Sequence, residues 1–213
     1  MTKIKVCGIM NQSDLAHAVI AGADAVGFVV EIDDSRHSIS TGQAADLISQ
    51  VPIYTKSVAV IAPVDVDEAV RLATQTKADV LQVHGSLAPK DLAELKSRVH
   101  QKLIAAVAAN KGGKEAMRFG MVVDAILLDT MVNGKLGGTG FVHDWDLSAE
   151  IVRSLKVPVI LAGGLHPGNV AAAIEKVRPY AVDVSSGLET DGKKDPQKIL
   201  SFIREVRACP HSQ

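Results

Sequence analysis

A thiol and a carboxylate each lie at the end of a short apolar run in this sequence. Cys7 lies near the end of the run Ile4–Ile9 and is followed by Gly8, and Asp129 follows the run Ala125–Leu128. A thiolate can act as a general base, and a desolvated carboxyl group that stays protonated can act as a general acid. Both residues also have a plain structural interpretation, because a buried cysteine can pack as an inert small hydrophobe and a carboxylate can cap a turn.

A lysine lies two residues before the thiol. If Cys7 faces the interior of the fold, Lys5 points inward one layer below it, because side chains alternate along a strand. A buried ammonium needs a partner, and Asp183, which has the strand parity of Ser185, is the candidate. We expect a Lys5–Asp183 pair, and we expect the charge of Lys5 to help favour the thiolate form of Cys7. Asp183 is also a predicted substrate-binding residue.

Three late segments combine glycines with hydroxyl groups, and each comes after a predicted strand. They are Gly137-Gly138-Thr139-Gly140, Ala162-Gly163-Gly164 and Ser185-Ser186-Gly187. Glycine lets backbone N–H groups approach a ligand, and N–H groups at a helix start bind anions, so the segments together predict a phosphate site. A tight strand-to-helix turn is the alternative for any one of them. The predicted phosphate-binding residues are Gly138, Gly140, Gly163, Gly164, Ser185, Ser186 and Gly187.

Two more polar residues follow predicted strands. Arg36 lies in the loop after the second strand, and its planar pair of donors suits a carboxylate, although a loop arginine is often only solvated. His84 ends the fourth strand, where it supports the pocket wall, forms a satisfied core histidine or contacts substrate. Both are predicted substrate-binding residues. No second histidine or carboxylate stands at ligand spacing from His84, so we expect no metal.

Short apolar runs alternate with segments of helical spacing along the whole chain, which is the pattern of repeated βαβ units. The predicted strands are Ile4–Ile9, Ala25–Val30, Ser57–Ile61, Val80–His84, Leu103–Val107, Ala125–Leu128, Val159–Ala162 and Ala181–Val184. The predicted helices are Ser13–Ala21, Thr41–Ser49, Val66–Thr74, Pro89–Val99, a short one around Lys114–Phe119, Leu147–Leu155, Pro167–Lys176 and Pro196–Val206.

The order of these elements favours an α/β fold, a single-domain (β/α)8 TIM barrel that spans residues 1–213. Eight units of about 26 residues each fit this architecture. A doubly wound open sheet is the alternative, but it normally carries its glycine-rich turn after the first strand, whereas these turns come late. In a barrel the loops after strands seven and eight are neighbours and often bind phosphate. We also expect Asp129 to end a strand opposite that of Cys7.

Composition limits the classes of partner. Apolar residues make up 47% of the 213 residues, and 23 Lys and Arg balance 24 Asp and Glu. No charged run predicts nucleic-acid binding, and no apolar run approaches the roughly 18 residues of a membrane helix. The chain begins with a strand-like segment rather than a signal sequence. Two distant cysteines, Cys7 and Cys209, predict neither a disulfide nor a metal site. We expect a cytoplasmic protein with a small-molecule ligand.

The motifs, taken in order, closely resemble those of the phosphoribosylanthranilate isomerase family over nearly the whole chain. The matching segments include Lys5-Val6-Cys7-Gly8-Ile9, Gln82-Val83-His84-Gly85, Leu127-Leu128-Asp129-Thr130, Gly137-Gly138-Thr139-Gly140, Leu161-Ala162-Gly163-Gly164-Leu165 and Asp183-Val184-Ser185-Ser186-Gly187-Leu188-Glu189. The first of these segments, with Cys7, and the last, with Ser185, are the most distinctive of the set.

This resemblance implies an enzyme of tryptophan biosynthesis that works without a cofactor. It implies an Amadori rearrangement of N-(5-phosphoribosyl)anthranilate to 1-(2-carboxyphenylamino)-1-deoxyribulose 5-phosphate. Cys7 then matches the general base, Asp129 the general acid and Arg36 the residue that holds the anthranilate carboxylate. The phosphoribosyl substrate is the expected partner, with no nucleic acid and no membrane, and the protein is expected to be a monomer or homodimer.

The chain departs from the family pattern at two places. Phe141 follows Gly140 where many relatives have a basic residue, and Ser35 precedes Arg36 where many have proline, after an acidic stretch at residues 31–34. These departures concern loop geometry and affinity.

Two other functions stay open. One is another sugar-phosphate isomerase barrel, such as an enzyme on a related Amadori substrate, but such enzymes rely on two carboxylates and Cys7 stands at the first position. The other is a non-catalytic protein that binds a phosphoribosyl ligand, against which Cys7 and Asp129 both argue.

Overall fold

The computed structural model describes residues 1–85, 87–111, 113–132, 135–136 and 144–209. Its main feature is a ring of parallel strands. We number them β1 (Lys3–Cys7), β2 (Ala25–Val30), β3 (Lys56–Ile61), β4 (Val80–Val83), β5 (Lys102–Ala108), β6 (Ala125–Asp129), β7 (Val159–Leu161) and β8 (Ala181–Val184).

Strand β1 closes the ring because it pairs with two neighbours. Cys7 is in register with Gly27 on β2, and Lys5 is in register with Asp183 on β8. The remaining pairs follow chain order around the ring. The fold is therefore a (β/α)8 barrel, as predicted, and the open doubly wound sheet is excluded.

Helices follow the strands and cover the outside of the barrel. Apolar side chains such as Val6, Phe28, Leu128 and Phe202 are fully buried between the strands and this outer layer. The helices are α1 (Gln12–Ala21), α2 (Thr41–Ile48), α3 (Val66–Thr76), α4 (Pro89–Arg98), α5 (Gly113–Gly120), α6 (Trp145–Ser154), α7 (Val170–Val177) and α8 (Pro196–Ala208). None of the helices in the described ranges is both long and apolar enough to cross a bilayer.

Residues of the opposite strand parity fill the barrel interior in two apolar clusters. One contains Val29, Val58 and Val60 beside Cys7, and the other contains Leu127 and its neighbours on β5 and β7. Bulky aliphatic side chains are the usual filling of such barrels. The interior is thus a packed core beneath the rim where the strands end.

Among the differences between the predicted and observed positions, three concern the rim of the barrel. Strand β1 ends at Cys7 rather than Ile9, because Gly8 has a φ of +76° that no strand residue adopts. Helix α7 begins at Val170 rather than Pro167, because residues 167–169 form a turn. Strand β6 lies three places from β1 around the ring, so the strand opposite β1 is β5 rather than the strand of Asp129.

Candidate active site

The Lys5 side chain lies inside the barrel and forms the predicted ion pair. Its Nζ donates a hydrogen bond of 2.9 Å to Oδ1 of Asp183, and both side chains are buried. Burial by itself would lower the pKa of Lys5, but the nearby carboxylate and the Cys7 sulfur outweigh it and raise that pKa above its ordinary value. Lys5 is therefore a fixed positive charge beneath the rim.

Cys7 ends β1 directly above this charge, and its thiol is buried. Burial raises the pKa of the Cys7 thiol, and the Lys5 ammonium only partly offsets that effect. The lysine thus acts in the predicted direction, because it lowers the pKa of the thiol and so favours the thiolate. Desolvation of the sulfur is the larger effect.

Gly27 on β2 provides the space that the Lys5 and Cys7 side chains occupy. A Cβ at Gly27 would lie 2.9 Å from the Cys7 sulfur and 2.9 Å from the Lys5 nitrogen. The two side chains are therefore close neighbours. Sequence reasoning missed this residue, although a glycine inside a strand is a known sign of close approach.

Asp129 is the last residue of β6, and the residue is 5% exposed. Burial raises the pKa of its carboxyl group to about 7, although a 2.7 Å hydrogen bond from the backbone N–H of Thr130 lowers it in part. The carboxylate accepts this hydrogen bond from the next residue of the chain. Near neutral pH the carboxyl group of Asp129 is protonated in a large fraction of the molecules, which a general acid requires.

His84 lies at the end of β4, partly buried, with its side chain against Gln82. The Gln82 amide nitrogen donates to His84 Nε2 over 2.8 Å. Burial and then the positive charge of Lys5 lower the pKa of His84 to about 4, so the ring is neutral. A neutral ring fits a wall residue or a hydrogen-bonding group and does not fit a cation that binds phosphate.

The loop after β7 contains the predicted glycine pair, Gly163 and Gly164. Gly163 and Gly164 have φ angles of +88° and +65°, which explains why both positions are glycine. A Cβ at Gly163 would overlap Thr130, the residue after Asp129. Asn169 holds the loop, since its amide donates to the Gly164 carbonyl and its oxygen accepts from the N–H of His166. Asn169 was not predicted from sequence.

The loop after β8 packs against the loop after β7. Ser185 is followed by a short 3-10 turn, Ser186–Leu188, and a Cβ on Gly187 would overlap the Leu165 carbonyl. Two of the three predicted phosphate segments are therefore adjacent. The third, which contains Gly138 and Gly140, lies outside the described residues, as does Phe141.

Arg36 lies at the rim with 57% of its side chain exposed, and it contacts a protein carboxylate. Its Nη2 donates to Oε2 of Glu189 over 2.5 Å. The other oxygen of this buried carboxylate accepts from His37 Nε2 and Lys194 Nζ, each over 2.8 Å. His37, Glu189 and Lys194 were not predicted as site residues, because residues 36–37 and 189–194 are far apart in sequence and lie outside the barrel strands and the helices.

The structure thus places a buried thiol, a carboxyl group with a pKa near neutrality and a glycine-rich pair of loops at one rim. Such a set can move protons on a bound phosphorylated molecule. Within the described residues, no group of three or more His, Cys, Asp or Glu side chains is placed to hold a metal ion.

Comparisons with known proteins identify one family. The family model described as N-(5'phosphoribosyl)anthranilate (PRA) isomerase matches residues 4–205. The N-(5'-phosphoribosyl)anthranilate isomerase of Methanothrix thermoacetophila is 52% identical over 209 residues, which cover 98% of this chain and 100% of the relative.

Solved structures show the same agreement. The phosphoribosyl anthranilate isomerase of Thermotoga maritima matches with a TM-score of 0.87 and 33% identity, over 97% of this chain and 99% of that one. A structure of phosphoribosyl anthranilate isomerase in complex with reduced 1-(o-carboxyphenylamino)-1-deoxyribulose 5-phosphate matches with a TM-score of 0.83 and 32% identity, with the same coverage. The chain belongs to the phosphoribosylanthranilate isomerase family.

Proposed function

We propose that this isomerase converts N-(5-phosphoribosyl)anthranilate by an Amadori rearrangement in which Asp129 is the general acid and Cys7 the general base. The observation that carries the proposal is the placement of both groups at the same barrel rim, with a pKa of about 7 at Asp129. A whole-chain single domain, a cytoplasmic location and a monomeric or homodimeric assembly belong to the same proposal.

The reaction begins with a proton transfer from Asp129. The carboxyl group protonates the ribose ring oxygen, the bond from that oxygen to C1′ breaks, and the nitrogen lone pair forms a protonated Schiff base. Near pH 7 the buried carboxyl group has the proton to give, because its environment disfavours the charged form. A carboxyl group of ordinary pKa would be almost fully ionised at this pH.

Cys7 completes the rearrangement. Its thiolate removes the proton from C2′, and the electrons of that bond neutralise the Schiff base to give an enolamine. Tautomerisation of the enolamine then yields the ketone. The nearby ammonium of Lys5 stabilises the thiolate while it exists, and the Asp183 contact keeps that ammonium in place.

The rest of the rim binds the two ends of the substrate in this proposal. Arg36 holds the anthranilate carboxylate, and the loops after β7 and β8 hold the phosphate through Gly163, Gly164 and the segment Ser185–Gly187. Gly138 and Gly140 are proposed for the same phosphate. His84 and Asp183 are proposed to line the centre of the site.

The test is conversion of freshly made phosphoribosylanthranilate, followed by loss of its fluorescence. The wild-type chain should turn over, and Cys7→Ala and Asp129→Asn should each lower kcat by at least about 100-fold, the usual scale for a lost acid or base. Cys209→Ala is the matched control, because that thiol lies at the end of α8. A wild-type chain without turnover contradicts the proposed reaction. A Cys7→Ala variant of full activity contradicts the role of the thiol.

A further inference from the structure

A buried ion-pair cluster outside the proposed acid and base joins two rim loops. Its centre is Glu189, which is 4% exposed and contacts Arg36, His37 and Lys194. Lys194 is 1% exposed. Charged groups this deeply buried need well-placed partners, so the geometry of the cluster is narrowly defined.

A short hairpin after β8 provides two members of the cluster, Glu189 and Lys194. Glu189–Thr190 pairs with Lys193–Lys194 as a two-residue antiparallel ribbon, and this places Glu189 directly opposite Lys194. The ammonium therefore reaches the carboxylate within one hairpin. Burial alone would raise the pKa of Glu189, but the hydrogen bonds from His37 and Lys194 hold it at about 2, so the carboxylate is ionised and can only accept.

The cluster contacts residues at both ends of the proposed substrate site, Ser185 at the phosphate end and Arg36 at the carboxylate end. Lys194 Nζ donates to the Ser185 carbonyl over 3.1 Å and to the Ser185 hydroxyl over 3.3 Å, which fixes the start of one phosphate loop. The Glu189 carboxylate holds Nη2 of Arg36, whose side chain is more than half exposed at the rim. One buried carboxylate thus contacts the Arg36 guanidinium and, through Lys194, the Ser185 loop.

A planar guanidinium binds a carboxylate more tightly when its orientation is fixed beforehand, because less conformational entropy is lost on binding. An arginine on an exposed loop has many rotamers, and a contact with a rigid buried partner removes most of them. His37 strengthens this effect, since it is the residue after Arg36 and donates to the same carboxylate. The Arg36 loop is therefore attached to Glu189 at two points.

We propose that Glu189 is a positioning residue that orients Arg36 toward the ligand carboxylate and, through Lys194, orients the Ser185 loop toward the ligand phosphate. This inference rests on the proposed function, in which Arg36 holds the anthranilate carboxylate. It assigns Glu189 no contact with the substrate.

Two ligands test the proposal by calorimetry. One is reduced 1-(o-carboxyphenylamino)-1-deoxyribulose 5-phosphate, and the other is the same compound with aniline in place of anthranilate. The ratio of their two Kd values measures the carboxylate preference of the site. In Glu189→Gln this preference should fall about tenfold, the scale of one charge-assisted hydrogen bond. Arg36→Met should abolish it, and Glu189→Gln should then change it no further.

The ratio separates positioning from a general loss of structure, which would weaken both ligands equally. Ser185→Ala is the matched control, because it removes the hydroxyl group of the phosphate loop and keeps the three contacts of the Glu189 carboxylate, so it should weaken both ligands and leave the preference unchanged. If Glu189→Gln does not fold, Glu189→Gln with Lys194→Met removes both buried charges, and the preference should fall there too.

An unchanged carboxylate preference in these Glu189 variants overturns the proposal, because Glu189 then does not orient Arg36. A larger preference also overturns it, because Glu189 then competes with the ligand carboxylate for Arg36. A wild-type protein without a carboxylate preference also overturns it. The binding measurements do not report on turnover, which the fluorescence assay measures separately. Failure of the positioning role and failure of the proposed reaction are therefore distinguishable.

Discussion

Lys5 and Asp183 form a buried ion pair across neighbouring strands β1 and β8, with 2.9 Å between nitrogen and oxygen. Lys5→Met should destabilise the protein by about 3–5 kcal/mol, since it leaves a buried carboxylate without its counter-charge. It should also raise the pKa of the Cys7 thiol further, because the Lys5 ammonium is the group that lowers it most. Urea unfolding and thiolate absorbance measure the two effects.

The double variant Lys5→Met with Asp183→Asn is the control for this pair. It removes both charges, so it should recover part of the stability and raise the pKa of the thiol by less, because Asp183 acts on Cys7 in the opposite direction. A thiol that titrates identically in wild type and Lys5→Met contradicts the electrostatic role of the lysine.

The proposed general acid, Asp129, has a lower pKa than the proposed general base, Cys7. Asp129 has a pKa of about 7, and burial raises that of Cys7 above its ordinary 9.0. The active form needs the acid protonated and the base ionised, so kcat/KM should rise up to about pH 7, stay level, and fall only above the pKa of the thiol. A fall in kcat/KM that begins below pH 8 contradicts this order.

Infrared difference spectra assign the lower limb of that profile. The carboxylic acid band should disappear as the pH passes through about 7, and it should be absent from Asp129→Asn. A band that persists in Asp129→Asn would show that another carboxyl group titrates there.

Asp129 should cost the protein stability above neutral pH. Its folded pKa of about 7 exceeds the ordinary 3.8, so its contribution is most favourable below about pH 4 and is lost as the pH rises to 7. Asp129→Asn should therefore match the wild type near pH 4 and exceed its free energy of unfolding by up to about 4 kcal/mol at pH 8. Urea denaturation at several pH values measures this difference.

Asp79→Asn is the control of opposite sign. Asp79 accepts hydrogen bonds from Ser57 and Lys56, which hold its pKa below the ordinary value in spite of partial burial. The variant should lose stability at pH 8, where wild-type Asp79 is ionised. Equal pH dependence in the two variants would contradict the assignment of the effect to Asp129.

Gly27→Ala should disturb the thiol more than the fold. The added methyl group would lie within 2.9 Å of both the Cys7 sulfur and the Lys5 nitrogen, so one or both must move. Overpacking of this kind costs about 1–3 kcal/mol, and we expect kcat to fall with it. Gly42→Ala, at a position with open space in α2, is the control and should keep full turnover. Full turnover by Gly27→Ala would contradict the positioning role of Gly27.

Contacts that regular strand geometry determines are predictable from the sequence. The Lys5–Asp183 pair followed from side-chain parity and from the adjacency of the first and eighth strands in a closed barrel, and both are regular features. The ends of elements were less certain. The turn before α7 depends on hydrogen bonds that Asn169 makes within its loop, and no periodic pattern reveals them.

The remaining site features depend on burial and loop packing. The pKa of the Cys7 thiol depends on a balance between its burial and the charge of Lys5. The sequence shows that both residues are present, but it shows neither the burial of the thiol nor the distance between the two side chains. The contact between Arg36 and Glu189 joins a loop residue to a short hairpin residue 153 positions further along the chain. Helix and strand periodicity carries no information about such a contact.

Closure of the ring has a consequence for the order in which the protein assembles during translation. The partner of Lys5 lies 178 residues further along the chain. On the ribosome, strand β1 therefore has one open edge and an uncompensated lysine until β8 has emerged. The N-terminal Cys7 is the first proposed catalytic group to be synthesised and acquires its final environment only when the C-terminal strand docks beside it.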